Sequence, residues 1–421
     1  MFTLKRRHFM AGASATLIAT TTLARAQQAD GLRILALPSI FAGMYGALKD
    51  QFLLGKDEKL ALDTSIREDE AAVAAIMRGA LIGDLPDLLF ISPNYLRIFV
   101  DRNLAQPLNG LIAAETDWTS RYSDTITRIG DFSGKTYGLG FAISMPVLLF
   151  NREIMRRAGI TELPGNWKEV IEAGRRMDAL GGGDTVGAFM EYDNGGNWTF
   201  HGLLNGFGGR ILDATGKVGF AGEEGRQALE LLRSFGEAGQ ARADMSRDQA
   251  RQAFSAGKLG ILGTSSSGFS AIESRAGGRF EISMMPFPVP SPAGRLPAAG
   301  PVGILFVRDP ARQRRAFEFM KFASGIAGQT IMASNTAYLP ANGLALKSDE
   351  LARYYADKPS VASLIPALSK MGPWEAFPGE NSIKITDAIK RHLASVALLK
   401  TPVETALAQM ATDVSALLPK A

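Results

Sequence analysis

The chain of 421 residues contains no cysteine. Disulfides, thiolate metal sites, a cysteine nucleophile and a lipid-modified N-terminal cysteine are therefore excluded. Histidine is nearly as scarce, with His8, His201 and His392 only. So small a set argues against a haem or a histidine-rich metal centre, and no cofactor is expected. No internal repeat is evident. The apolar run near the N-terminus is too short and too polar to span a bilayer.

Net charge is also small, and it sits in one place. Residues 1–26 hold Lys5, Arg6, Arg7 and Arg25 and no acid. Removing those four from 46 basic residues leaves 42, equal to the 42 acidic ones. No basic excess then remains to attract nucleic acid or an anionic membrane. The segment itself has the parts of an export signal. Lys5-Arg6-Arg7 is a basic start with twin arginines, Ala11 to Leu23 is a mildly apolar stretch, and Ala24-Arg25-Ala26 is a cleavage site. Twin arginines before a weak apolar stretch point to the Tat route, with cleavage after Ala26 and a mature chain free in the periplasm.

What is present is apolar content of 46% in a chain long enough for two lobes. Strand and helix patterns alternate. Leu32–Leu37, Leu60–Ile66 and Asp87–Ile91 read as strands. Tyr45–Leu54 and Glu68–Ala80 read as helices between them, which predicts a mainly parallel sheet with helices on both faces. Ligands in such sheets sit beyond the carboxyl ends of strands, so Ser39, Ser92 and Asn94 become candidate site residues. Each is equally suited to capping a helix. Further on, Asn166 with Glu169 predicts a helix cap, and Gly181-Gly182-Gly183 ends that helix. Tyr192 to Trp198 reads as a polar, aromatic loop after a strand at Gly187–Glu191. An indole beside Asn197 and Asp193 suits stacking on a sugar with hydrogen bonds to its hydroxyls. The run Thr264 to Ser267 lines a cleft or forms a turn. Thr401-Pro402-Val403-Glu404 reads as a capping box for the last helix.

One stretch organises the rest. From Gly134 to Gly159 a strand stops, bends between Gly140 and Pro146, and resumes at Val147–Phe150 before a helix opening at Asn151. Such a segment suits a crossing between two lobes or a loop within one. Two later proline-marked breaks, Pro286–Pro301 and Tyr338–Asn342, suit further crossings.

Several segments together resemble the family 1 extracellular solute-binding proteins, the maltose-binding-like receptors of ABC importers. They are Gly134 to Leu139, Val147 to Glu153, Trp167-Lys168-Glu169, Phe254 to Gly260, Ala316 to Phe322 and Thr336 to Asn342. The resemblance covers nearly the whole chain after the export signal. It implies an α/β, two-lobe periplasmic-binding-protein fold of type II, with mixed sheets flanked by helices. The cleft would lie between lobes joined by three hinge crossings. One lobe would comprise 27–139 plus 302–338, and the other 140–301 plus 339–421. The implied ligand positions are Ser39, Ser92, Asn94, Ser144, Asn197, Trp198, Ser267, Gly300 and Trp374. The implied role is that of a monomeric receptor with no enzymatic activity. It would bind a sugar, oligosaccharide or polyol and hand it to ABC transporter permease subunits in the inner membrane. The aromatic of the hydroxyl run is displaced to Phe269, and no acid lies between Phe141 and Pro146. Both departures turn the expectation away from maltodextrin. The loop from Trp374 to Lys384 is similar to receptors for sugars, polyols or glycerol phosphate esters.

Two readings from other classes are weaker. A periplasmic hydrolase would use Glu191 and Asp193 as an acid pair and His201 as a base. No nucleophile motif accompanies them. Iron capture would use Tyr354-Tyr355, which fall in a helical stretch as a core and a surface residue.

Overall fold

The computed structural model describes residues 31–180 and 185–419. The export signal and Gly181–Gly183 lie outside the described residues. Nine strands build two sheets. In chain order they are β1 (Leu32–Ala36), β2 (Leu60–Asp63), β3 (Leu88–Ile91), β4 (Gly138–Gly140), β5 (Pro146–Asn151), β6 (Val186–Met190), β7 (Leu259–Ser265), β8 (Ile282–Pro286) and β9 (Val302–Leu305). The first sheet has the order β2-β1-β3-β9-β4 and the second β8-β5-β7-β6.

Neither sheet is purely parallel. β1 runs parallel to β2 and β3, but β9 enters antiparallel between β3 and β4. In the second sheet β5 runs antiparallel to both β7 and β8, and β6 runs parallel to β7. The alternating pattern at the start of the chain therefore describes only one edge. The late return of β9, which follows a long connection, is a non-local pairing that periodicity does not show.

Composition explains the placement of the central strands. Leu88-Leu89-Phe90-Ile91 and Pro146 to Asn151 are buried at every position, as expected for strands covered on both faces. Leu88, Phe90 and Leu305 pack with Met44, Tyr45, Phe317 and Phe319 on one face of the first sheet. Leu89, Ile91 and Ile304 pack with Val73, Ile76 and Phe99 on the other. In the second sheet Leu148 and Phe150 face one core, and Val147 and Leu149 the other. Each sheet thus carries two layers of helices around its own apolar cores.

Side-chain caps set several helix starts. Asn151 accepts from the backbone N–H of Glu153 and Ile154, Asn166 from Glu169, Asp309 from Arg312, and Ser246 forms a full capping box with Gln249. The expected box at Thr401 does not form. The last helix (Val403–Leu417) starts after Pro402 with no side-chain cap bond, because the fixed φ of Pro402 already sets the entry.

The chain passes between the sheets three times. The first passage is Phe141–Met145, between β4 and β5. The second joins β8 to β9, where Ser144 and Ala299 exchange backbone hydrogen bonds of 2.8 and 3.1 Å. In the third, Leu339–Pro340 pairs antiparallel with Ala142–Ile143. Asn342 anchors this passage. Its amide donates to the carbonyls of Arg121 and Ser324 at 3.0 and 2.9 Å, and its oxygen accepts from Ser123 and Leu344. Gly300, at φ +114°, lies where two passages touch, and a Cβ there would collide with the Ala142 carbonyl. Only glycine meets both demands.

Candidate functional site

Four polar side chains converge where strands of both sheets end. Ser92 follows β3 and precedes the turn Pro93–Tyr95, yet its side chain makes no cap bond. It faces Asp69 instead, the first residue of the helix Asp69–Ile82, with its hydroxyl and backbone N–H close enough to pull the Asp69 pKa down. Burial pushes the Asp69 carboxyl up to about 7, against the pull of Ser92 and with the help of Glu70 and Glu68. Tyr338, on the third passage, faces Ser267, which follows β7 and whose hydroxyl bonds that of Ser265 at 2.8 Å; the nearness of Ser267 partly offsets the rise of the Tyr338 hydroxyl. Burial raises the Tyr338 hydroxyl, and the field of Asp69 raises it further. Tyr45 belongs to the same neighbourhood; its hydroxyl donates to the Leu37 carbonyl at 2.6 Å. Asp69 and Ser92 come from the first sheet, Ser267 from the second, and Tyr338 from the connection between them.

The second sheet also contributes the loop Asp193–Asn197, which presses against the first. A Cβ at Gly195 would lie 3.1 Å from the Glu70 carboxylate and 3.4 Å from the Tyr95 hydroxyl. That hydroxyl already donates to Glu70 at 2.5 Å. Gly196 has φ +56°, and a Cβ there would collide with the Asn94 amide and the Trp374 ring. This close approach requires glycine. Asn197 is left-handed at φ +53°, and its amide donates to the Thr386 carbonyl at 2.9 Å. Trp198 starts a helix (Trp198–Gly206) rather than belonging to an open loop. It is buried, its indole donates to the Pro297 carbonyl at 3.2 Å, and its ring lies 6.2 Å from that of Trp374. Two ion pairs close the same side. Arg67 meets Asp248 at 2.6 Å, and Arg247 meets Glu68 at 3.4 Å.

The structure thus places Ser92 beside Asp69 and Ser267 beside Tyr338, and gathers Asn94, Asn197, Trp198 and Trp374 around Gly196. Ser39 opens a short turn (Ser39–Phe41) after β1. Ser144 and Gly300 lie on the passages, Ser144 buried. No described contact joins these three to the Asp69 cluster. Asp69 and Tyr338 escaped the sequence reading. An acid in the first turn of a helix reads as an ordinary response to the helix dipole. Tyr338 stood in a recognisable segment, but nothing local marked its hydroxyl.

Glu191 is not a free acid. It is fully buried, and Arg251 grips both of its oxygens at 2.6 and 2.9 Å. Thr264 and Asn194 donate to it at 2.7 and 3.1 Å. His201 is buried, its Nδ1 has no partner among the described residues, and burial lowers its pKa to about 3. Tyr354 donates to the Thr336 carbonyl, and the Tyr355 hydroxyl is buried without a partner. Among the described residues no group of three His, Asp or Glu side chains is placed to hold a metal ion. Among the described residues no helix is long and apolar enough to cross a membrane.

Residues 69–330 match the family described as bacterial extracellular solute-binding protein. The chain belongs to that family. A Brucella abortus relative described only as a binding protein is 23% identical to this solute-binding protein over 346 residues, 80% of this chain and 81% of the relative. Among solved structures, UgpB from Mycobacterium tuberculosis, in complex with glycerophosphocholine, superimposes with a TM-score of 0.80. It is 19% identical and covers 92% of this chain and 98% of its own. The GacH receptor of Streptomyces glaucescens, solved unliganded and with acarbose, gives 0.75 at 20% identity, covering 92% and 98%. The fold is therefore the two-lobe fold of these solute-binding proteins, with mixed sheets flanked by helices.

Proposed function

We propose that the protein is a periplasmic receptor that captures a neutral polyhydroxylated solute, a sugar, oligosaccharide or polyol, and delivers it to an ABC importer permease. The supporting observation is the convergence of Asp69, Ser92, Ser267 and Tyr338 from both sheets and their connection. Hydroxyls and a carboxylate recognise vicinal hydroxyls, because each can pair with a solute O–H as donor or acceptor. A solute touching both lobes selects the closed arrangement. On this reading one lobe comprises residues 27–139 plus 302–338 and the other 140–301 plus 339–421, although Gly140 still pairs with Val302 in the first sheet. The twin-arginine segment supplies export, and the receptor releases its solute unchanged, with no catalytic step.

Charge favours a neutral headgroup over a free phosphate. Glu68, Asp69 and Glu70 adjoin the cluster, while the nearby cations Arg67, Arg247 and Arg251 each already meet a carboxylate. A second reading has one specific support. The acidic side would suit the cationic end of a glycerophosphodiester, and a structural neighbour holds glycerophosphocholine.

Calorimetric titration with maltose, glucose, glycerol, sn-glycerol 3-phosphate and glycerophosphocholine tests both readings. Saturable heat with a neutral polyol, lost in Ser267→Ala and weakened in Tyr338→Phe, is expected. Binding of glycerophosphocholine alone selects the second reading, and no binding across the panel overturns both.

A further inference from the structure

Two helix starts meet across the lobes. The helix Asp69–Ile82 is fixed to the first sheet by buried Ala72, Val73 and Ile76. The helix Arg247–Ser255 is fixed to the second. Its capping box closes the first turn, Ala250 and Phe254 are buried in the core, and Arg251 grips Glu191. Each start therefore moves with its own sheet, and a contact between the starts depends on how the lobes stand.

The charges at this contact alternate in space. Asp248 accepts from Arg67 at 2.6 Å, Arg67 lies 3.5 Å from Glu68, and Glu68 accepts from Arg247 at 3.4 Å. Arg67 and Glu68 are neighbours in sequence just before the first helix, and Arg247 and Asp248 open the second. The two couples thus meet crosswise, each cation on the other side's acid. The acids sit where a helix dipole favours them. Arg247 does not, because it is the first residue of its helix, at the positive end. The Glu68 carboxylate from the other side supplies the stabilisation that this helix start withholds. Arg247 is also the most enclosed of the four, with 21% of its side chain exposed against 65% for Arg67. One residue past Asp69, Glu70 lies against Gly195 of the second side. Asp69 therefore stands between two acids that both meet the opposite lobe.

We propose that Arg67, Glu68, Arg247 and Asp248 form an ionic clasp that holds the lobes together and makes their closure depend on the ionic strength around the protein. Exposed ion pairs are weak within one fixed structure. These two exist only where the lobes meet, so each multiplies the ratio of closed to open arrangements, and salt screens that factor away. The clasp uses protein groups alone and acts whatever the solute is. Its consequence for affinity rests on the receptor reading: a solute that touches both lobes binds more tightly when more of the protein is closed.

The chain has no cysteine, so cysteines introduced at the exposed positions Arg78 and Gln252, one on each helix, take nitroxide spin labels at those points only. Pulsed electron spin resonance on the full mature chain, with no sugar added, reads the distance between them. A predominantly short distance is expected at about 10 mM NaCl. At about 500 mM NaCl the ratio of short to long distances should fall roughly three- to tenfold. Arg67→Asp should populate the long distance already at low salt. Adding Asp248→Arg should restore the short one, because the pair re-forms with its signs exchanged. Small-angle scattering of the unlabelled proteins repeats the comparison, with a larger radius of gyration expected at high salt and in Arg67→Asp. The same distances and radius at both salt concentrations, no change in Arg67→Asp, or a double variant as open as the single one would each overturn the clasp. No solute takes part, so these outcomes leave the receptor reading standing, and failure of every solute to bind would leave the clasp standing.

Discussion

Two carboxylates, one near the end of a strand in each sheet, are held in opposite ways. Glu191, after β6, has every oxygen filled by Arg251, Thr264 and Asn194. Asp69, beside the end of β3, has only the Ser92 donors and stands between two further acids. The first sheet has its own example of the saturated kind. Asp87 is buried, gripped by Arg312 at both oxygens and bonded by the Arg33 backbone N–H. A carboxylate whose bonding capacity is spent within the protein holds the fold together. One left without a cation, in a polar cluster between lobes, keeps capacity for a solute.

The largest expected effect falls on the saturated side. Glu191→Ala leaves the mostly enclosed Arg251 guanidinium without its partner and should cost about 3–5 kcal/mol, read as a lower denaturant midpoint at unchanged slope. A cost under about 1 kcal/mol would place Glu191 in the same class as Asp69.

His201 comes next. Its folded pKa of about 3 lies below its unfolded value, so the folded state holds it neutral. Stability is then fully present at neutral pH and is lost as pH falls below about 6.5. The loss should reach roughly 2–3 kcal/mol by pH 4. His201→Leu should flatten that part of the melting profile, and a parallel acid decline in the variant would assign it elsewhere.

Asp69 should behave in the reverse sense. Its carboxyl is raised to about 7, so the folded state holds the proton more tightly than the unfolded chain. Raising pH from about 4 to 7 therefore costs stability. Asp69 is only partly shielded from solvent, so screening reduces the full linkage, and Asp69→Asn should be more stable than the parent by about 1–2 kcal/mol at pH 8 and equal to it below pH 4. A variant less stable than the parent would show that Asp69 is structural after all.

The smallest effect belongs to the exposed pairs Arg67–Asp248 and Arg247–Glu68, which join the two sides. Arg67→Ala should change stability by less than about 1 kcal/mol. Solute affinity should fall severalfold at low ionic strength and converge with the parent at high salt. An equal loss at all salt concentrations would remove these pairs from lobe closure.

Much of this molecule was readable locally. The buried strands around Phe90 and Phe150 announced themselves as short apolar runs between turn signals, and Asn151 and Asn166 cap helices where they were expected to. Ser92 was singled out because strand ends are where open sheets bind ligands, and Ser267 because it lies in a run of hydroxyls that the family resemblance implies as a ligand position. What escaped depends on partners distant in the chain. Trp198 looked like a loop aromatic, but its indole bonds Pro297, 99 residues on. Asp69 looked like a helix-start acid, since its unusual state comes from burial in the folded chain. Glu191 looked available because Arg251 lies 60 residues away. A pattern of residue types carries periodicity and capping, but not which carboxylate a distant guanidinium will take.

The central claim, that Asp69, Ser92, Ser267 and Tyr338 form the solute site, is tested most directly by calorimetric affinity for the bound polyol, measured from pH 5.5 to 8.5 in the parent and in Asp69→Asn. Ionisation turns the Asp69 carboxyl into a stronger, acceptor-only partner for solute hydroxyls, so parent affinity should rise through about pH 7, and Asp69→Asn should bind weakly with no such rise. Affinity independent of pH in the parent, or unchanged by Asp69→Asn, would contradict the claim.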